Sequence, residues 1–193
     1  MRVDVKLFTA PGKSVEPKTL VPVFHGFIQR SAIKDELLID VADYSHVVEG
    51  PGVMLIGHEG QYGFDRSKGR DGLLYSQRRA NIDDTFAAAL RYGVLHVLRM
   101  AALLEQEEPL QGKLEFNAGE LLVRINDRLR APSTPETYKA LEPEARSVLA
   151  SLLGSLGGEL GIEPVGTSDE LFSLQIKSQQ ATSVSGLLAK LPS

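Results

Sequence analysis

VMLIGHEGQYGFDRSKGRDGLLYSQRR, residues 53–79, is built from apolar runs with turn chemistry between them. Val53 to Ile56 is a short continuous apolar run of the kind a buried strand carries. Gly57, Gly60 and Gly63 then point to bulges or close backbone approach rather than a straight strand. Tyr62 and Phe64 alternate with small or polar residues, as the two faces of a strand require. Ser67-Lys68-Gly69-Arg70-Asp71-Gly72 reads as an exposed hairpin tip, and Leu73 to Arg79 as the returning partner strand. Three strands in antiparallel succession make a hairpin-connected sheet the organising element of the chain.

Upstream, Val3, Val5 and Leu7 share one face of a strand that Pro11-Gly12 ends. Leu20, Phe24, Phe27 and Ile28 form the stripe of a short helix, with Pro22 in its first turn, where a missing N–H does no harm. Leu37 to Val41, interrupted by Asp40, reads as a mostly buried strand before the turn Gly50-Pro51-Gly52. Downstream, Phe86, Leu90, Val94, Val97, Ala101 and Leu104 give a continuous apolar face to a helix expected from Ile82 to Glu107. Asn81 is its expected cap, with Asp83 and Asp84 at the positive end of the dipole. Glu105, Glu107 and Glu108 oppose that dipole at the other end, before Pro109.

Leu114 to Phe116 and Leu121 to Ile125 flank Asn117-Ala118-Gly119, which reads as a hairpin turn. Ser133-Thr134-Pro135-Glu136 opens another helix, which Pro143 should kink or split and Gly154 should stop. Leu160 and Ile162, then Phe172, Leu174 and Ile176, alternate as two strands around Gly166-Thr167-Ser168-Asp169. The expectation is an α+β fold: one domain over residues 1–178, with about eight largely antiparallel strands against three or four helices. Residues 179–193 read as a polar linker and a short apolar tail carrying Leu187, Leu188 and Leu191. That tail would dock on a partner or a second copy, as an assembly subunit would, or fold back onto its own domain.

Composition excludes more than it assigns. With no cysteine, the chain has no disulfide, thiolate metal site or cysteine nucleophile. A net charge of −4 argues against nucleic acid as a partner of the whole domain. The N-terminus lacks the apolar stretch of a signal peptide, and Ser147 to Gly158 falls short of the roughly 20 residues a membrane span needs. No phosphate-binding, dinucleotide or nucleophile-elbow motif occurs, and Tyr62 stands where a zinc-protease reading of His58-Glu59 needs a second histidine. No motif names a cofactor.

Two constellations carry candidate chemistry. Asp40, Asp43 and His46 run from a strand into a loop, and His58 and Glu59 end the next strand, with Asp65 beyond. Converging at one sheet edge, they would suit zinc, manganese or iron, or a water-activating base. The plainer reading has the aspartates accepting backbone hydrogen bonds and the histidines packing or facing solvent. The second constellation is cationic: Arg66, Lys68, Arg70, Arg78 and Arg79 against Asp71 alone. Brought together by opposed strands, they would take a phosphate, a carboxylate or an acidic partner. The plainer reading is a hairpin kept soluble by its charges. His25 and His96 lie on separate helices, and His96, between Leu95 and Val97, reads as a satisfied core imidazole. Asn126-Asp127-Arg128 reads as turn chemistry.

LLIDVADYSHVVEGPGVMLIGHEGQYGFD (37–65) and LLVRINDRLRAPSTPETYKALEPE (121–144) resemble an uncharacterised family of bacterial proteins of similar length. The resemblance implies a bacterial, cytoplasmic setting and carries over no activity or site residue. The functional expectation is a non-catalytic soluble binding protein, acting through protein association, self-association included, or on a small anionic ligand. A small metal-dependent enzyme using Asp40, Asp43, His46, His58 and Glu59 is the alternative.

Overall fold

The computed structural model describes residues 1–47, 51–79, 85–153, 159–178 and 183–190. Its strands are β1 (Val3–Thr9), β2 (Leu38–Tyr44), β3 (Gly52–Gly57), β4 (Gly60–Asp65), β5 (Gly72–Gln77), β6 (Phe116–Ile125), β7 (Leu160–Val165) and β8 (Ser173–Ser178). Its helices are α1 (Leu20–Gln29), α2 (Phe86–Gln106), α3 (Pro135–Leu153) and α4 (Val184–Leu188). All eight strands join one antiparallel sheet in the order β2-β3-β4-β5-β1-β6-β8-β7. The fold is α+β, and 53–79 does form three successive antiparallel strands.

Register explains the layering. Leu55, Tyr62, Tyr75, Val5, Val123 and Leu174 stand opposite one another across six strands, and all are buried. This face carries the helices and one continuous core. A Cβ on Gly93 of α2 would fall 2.8 Å from Val5 and 3.2 Å from Val3, so the glycine sets how closely α2 lies on β1. The alternate residues of β1, Asp4, Lys6 and Phe8, point to the opposite face. There Lys6 stands opposite Leu74 on one side and Leu122 on the other.

Several local expectations change. The expected hairpin turn at Asn117-Ala118-Gly119 lies inside the unbroken strand β6. The register against β1 shifts between Leu7 and Thr9, and Asn117 Oδ1 accepts the Gly119 N–H at 3.1 Å, so the residues form a bulge. Pro143 lies within α3 without splitting it, and Thr134 Oγ1 accepts the Thr137 N–H as the helix's cap. The Leu37–Val41 run is not mostly buried: β2 is an edge strand, with Leu37 68% and Ile39 51% exposed. α2 is capped by Thr85, whose side chain accepts the Ala88 N–H. The expected cap Asn81, the expected first-turn acids Asp83 and Asp84, the stop Gly154 and the tail residue Leu191 lie outside the described residues. The acidic end of α2 has an explanation in its partners, since Glu105 accepts the Phe116 N–H at 2.8 Å and Glu107 pairs with Arg30.

α2 is long and apolar enough to cross a membrane by length and composition, yet most of its side chains lie in the core. The tail turns inward too. Val184 and Leu187 are fully buried and Leu188 packs against the core, with α4 lying on α2 and β6 of its own chain. Leu187 and Leu188 therefore do not form a free docking tail.

Candidate functional site

The face of the sheet opposite the helices holds a groove of about 390 Å³ between two hairpin tips. The β4–β5 tip supplies Lys68 and Arg70, and the β7–β8 tip, with the residues flanking it, supplies Val165, Gly166, Asp169, Glu170 and Leu171. Phe8, Leu122 and Lys6 line it from the central strands. Lys6 is 2% exposed; its Nζ donates to Asp65 Oδ2 at 2.7 Å and to the Arg70 carbonyl. Burial lowers the Lys6 pKa, opposed by the Asp65 carboxylate. Burial pushes Asp65 upward, but its bonds from Lys6 and Ser67 prevail and hold it below the usual carboxylate value.

Arg70 lies over the Phe8 ring, 3.9 Å from its centre, and donates to both oxygens of Glu120 at 3.0 and 2.6 Å. Gln175 donates to the same carboxylate at 3.0 Å. Lys68 pairs with Glu170 at 2.9 Å and so joins the two tips across the rim. Two further cations line the groove with spare capacity. Arg124 Nε lies 3.6 Å from Asp4 Oδ2, too far for a hydrogen bond, and is buried without one. Arg128, exposed at the groove, acts on the Asp169 carboxylate only electrostatically, with no hydrogen bond to it among the described residues. The groove thus combines an apolar floor with guanidinium groups able to bind a carboxylate or phosphate through paired donors.

The five cations expected to act together are divided. Lys68 and Arg70 line the groove, while Arg66 pairs with Asp71 at 3.4 Å outside it. Arg78 and Arg79 stand at the other end of β5, about 20 Å away at strand rise. There both backbone N–H groups reach the Glu59 carbonyl, and Arg78 Nη1 donates to the Gly57 carbonyl. Lys6, Arg124 and Arg128 were not singled out as ligand residues by sequence reasoning. The only signal was a lysine and an arginine at alternating strand positions, which looks the same on any solvated face.

The metal constellation does not converge either. In the β2–β3 pair, Asp43 stands opposite Val53 near one end, with His46 beyond it, whereas His58 follows the other end and bonds the Leu37 carbonyl. Asp40 Oδ1 accepts its neighbour Val41 N–H, and Asp43 Oδ1 accepts Ser45 N–H at 2.9 Å. His46 stacks near Tyr44, and His58 lies 3.5 Å from Glu59. Among the described residues, no three histidine, aspartate or glutamate side chains gather as a metal site. An antiparallel hairpin puts its turn and its free ends at opposite ends, so closeness in sequence did not become closeness in space.

A buried polar cluster lies between β4, β5 and α2. Glu36, just before β2, accepts the Glu59 N–H at 2.8 Å and the Gly60 N–H at 3.4 Å. Its other oxygen lies 4.0 Å from His96 Nδ1, which shares a 2.8 Å hydrogen bond with the Tyr62 hydroxyl. Tyr75 stacks on His96 with ring centres 5.0 Å apart. Burial raises the Glu36, Tyr62 and Tyr75 pKa values and pushes His96 down to about 4. A Cβ on Gly57 would strike the Glu36 carboxylate, and one on Gly60 the Tyr75 ring, so those glycines do mark close approach. The imidazole expected to be satisfied is only half so: His96 Nε2, Glu36 Oε2 and the Gln77 amide have no hydrogen-bond partner among the described residues.

The chain matches no protein-family model and no curated protein.

Proposed function

We propose that the chain is a non-catalytic binding protein that takes a small organic anion in the groove on the helix-free face. The observation that carries this reading is that Arg124 and Arg128 line a groove with an apolar floor, Arg124 Nε having no hydrogen-bond partner among the described residues and Arg128 only an electrostatic one in Asp169. The anionic group, a carboxylate or a phosphate, binds the two guanidinium groups, and the ligand's apolar part lies over Phe8 and Leu122. The rim pair Lys68–Glu170 is well exposed, so an entering anion exchanges for Glu170 at little cost. A bacterial cytoplasmic setting belongs to the same proposal and is supported by the sequence resemblance of residues 37–65 and 121–144.

Calorimetric titration with hexanoate, phenylacetate and phenyl phosphate tests the reading. At least one should bind, and Arg124→Ala/Arg128→Ala should weaken it ten- to a hundredfold, since hydrogen bonds to charged groups are worth about 1.5–3 kcal/mol. Arg78→Ala/Arg79→Ala, at the far end of β5, should leave it unchanged. No binding by any of the three, or equal binding by the Arg124/Arg128 variant, overturns the proposal.

A further inference from the structure

We propose that the outer edge of β2 is a docking site for an extended, otherwise apolar segment that carries two cationic residues three positions apart. Among the described residues, the exposed large hydrophobic side chains are Leu37, Ile39, Tyr44, Val47 and Leu129, and all but the last belong to β2 or its flanks. They are 68%, 51%, 45% and 45% exposed in that order. No described strand lies outside β2. An edge that is both apolar and unpaired is a template for strand addition, in which backbone hydrogen bonds supply affinity and alternate side chains supply selectivity.

Charge decides the occupant. Asp40 and Asp43 lie along this edge, exposed and without an ion pair among the described residues. A second copy paired through β2 would set four aspartates along one seam, where like charges repel. Asp40 and Asp43 lie three apart in an unbroken register and so face opposite sides of the strand, and a segment with lysine or arginine three apart places a cation near each carboxylate. Asp40 also guards the edge, because Val41 stands opposite Leu55 while its N–H is bonded to the Asp40 carboxylate at 2.8 Å. An incoming carbonyl takes over that N–H and frees Asp40 to meet the incoming cation. The free edge is thereby blunted against uncharged strands and open to basic ones.

The test uses the full chain and a capped heptapeptide, Val-Lys-Val-Val-Lys-Val-Val, which equals β2 in length and, paired antiparallel, sets its lysines opposite Asp43 and Asp40. Fluorescence anisotropy should show saturable binding that weakens with salt, and a Glu-Val peptide of the same pattern should not bind. Val41→Pro deletes the edge N–H without removing a bond to β3 and should weaken binding at least tenfold with an unchanged melting temperature. Asp40→Asn/Asp43→Asn should weaken it about fivefold and flatten its salt dependence, a second reading that does not depend on how proline is tolerated. On binding, hydrogen exchange should slow in residues 38–44 and not in 160–165. Equal binding by the Asp40/Asp43 variant, equal binding of the Glu-Val peptide, or dimerisation of the chain through β2 overturns the proposal.

Discussion

The two edges of the sheet are finished in different ways. At β7 the neighbouring helix closes the edge: Arg146 of α3 donates to the Leu160 carbonyl at 2.8 Å, and Tyr138 to the Ile162 carbonyl at 2.9 Å. Pro164, two residues on, has no N–H to offer, which completes a run of blocked positions along the strand. At β2 the only described guard is a carboxylate on the strand itself. The segment leading into β2 is anchored by Glu36, a buried charge-bearing group, whereas β7 is secured by neutral backbone acceptors and apolar contacts. One edge is sealed from outside by a helix, and the other is held from inside by groups that titrate.

Acid should break the comparison most strongly. His96 is pushed down to about 4 from 6.5, so below pH 6.5 the unfolded chain takes a proton that the folded chain refuses. Stability therefore falls as pH drops from 6.5 to 4, by on the order of 3 kcal/mol. Glu36 works in the opposite sense: its raised pKa means the folded state gains from protonation, and that contribution is lost as pH rises above 4.5. Urea melts of Glu36→Gln should consequently show the His96 loss undiluted, and His96→Phe in the same background should abolish it. A pH profile unaffected by His96→Phe would remove this account of the β2 side.

A smaller effect should follow from unsealing β7. Tyr138→Phe with Arg146→Ala deletes both bonds to the strand and should cost about 2 kcal/mol. Exchange should quicken in residues 160–165 while 38–44 stay unchanged; a uniform change across both edges would show that α3 is not a local seal. Smallest in stability is Pro164→Val, within about 1 kcal/mol. That variant restores an edge donor, so sedimentation should reveal new concentration-dependent association. Its absence would mean that Tyr138 and Arg146 seal the edge without the proline.

Much of the fold is legible in the chain because its periodicities are local. Val3, Val5 and Leu7 step by two, the apolar face of α2 steps by three or four, and the glycine-punctuated hairpins of 53–79 need no distant information. Errors arose where a local signal had a non-local outcome. Asn117-Ala118-Gly119 carries turn chemistry, yet β6 pairs with β1 on both sides of it, and a bulge absorbs the mismatch. Leu37–Val41 is apolar enough for the interior, but nothing in the run says that its strand ends the sheet.

The candidate site was less legible still. The sequence presents Lys68, Arg70, Arg78 and Arg79 as one local excess of charge, because counting along a chain ignores strand direction. Arg124 and Arg128 come to the groove from more than fifty residues further on. They do so because β6 lies beside β1, while β1 lies beside β5.

By itself the sequence determined most of the strand and helix segments, that the strands run back and forth, and that disulfide and thiolate chemistry are closed to this chain. Tertiary structure alone decided that β1 sits in the middle of the sheet, that Lys6 lies beneath a groove, and which edge is sealed. The reason is one of range. Side-chain alternation and turn preference act over a few residues, whereas strand order is set by which apolar faces bury one another, a choice made between segments far apart in the chain.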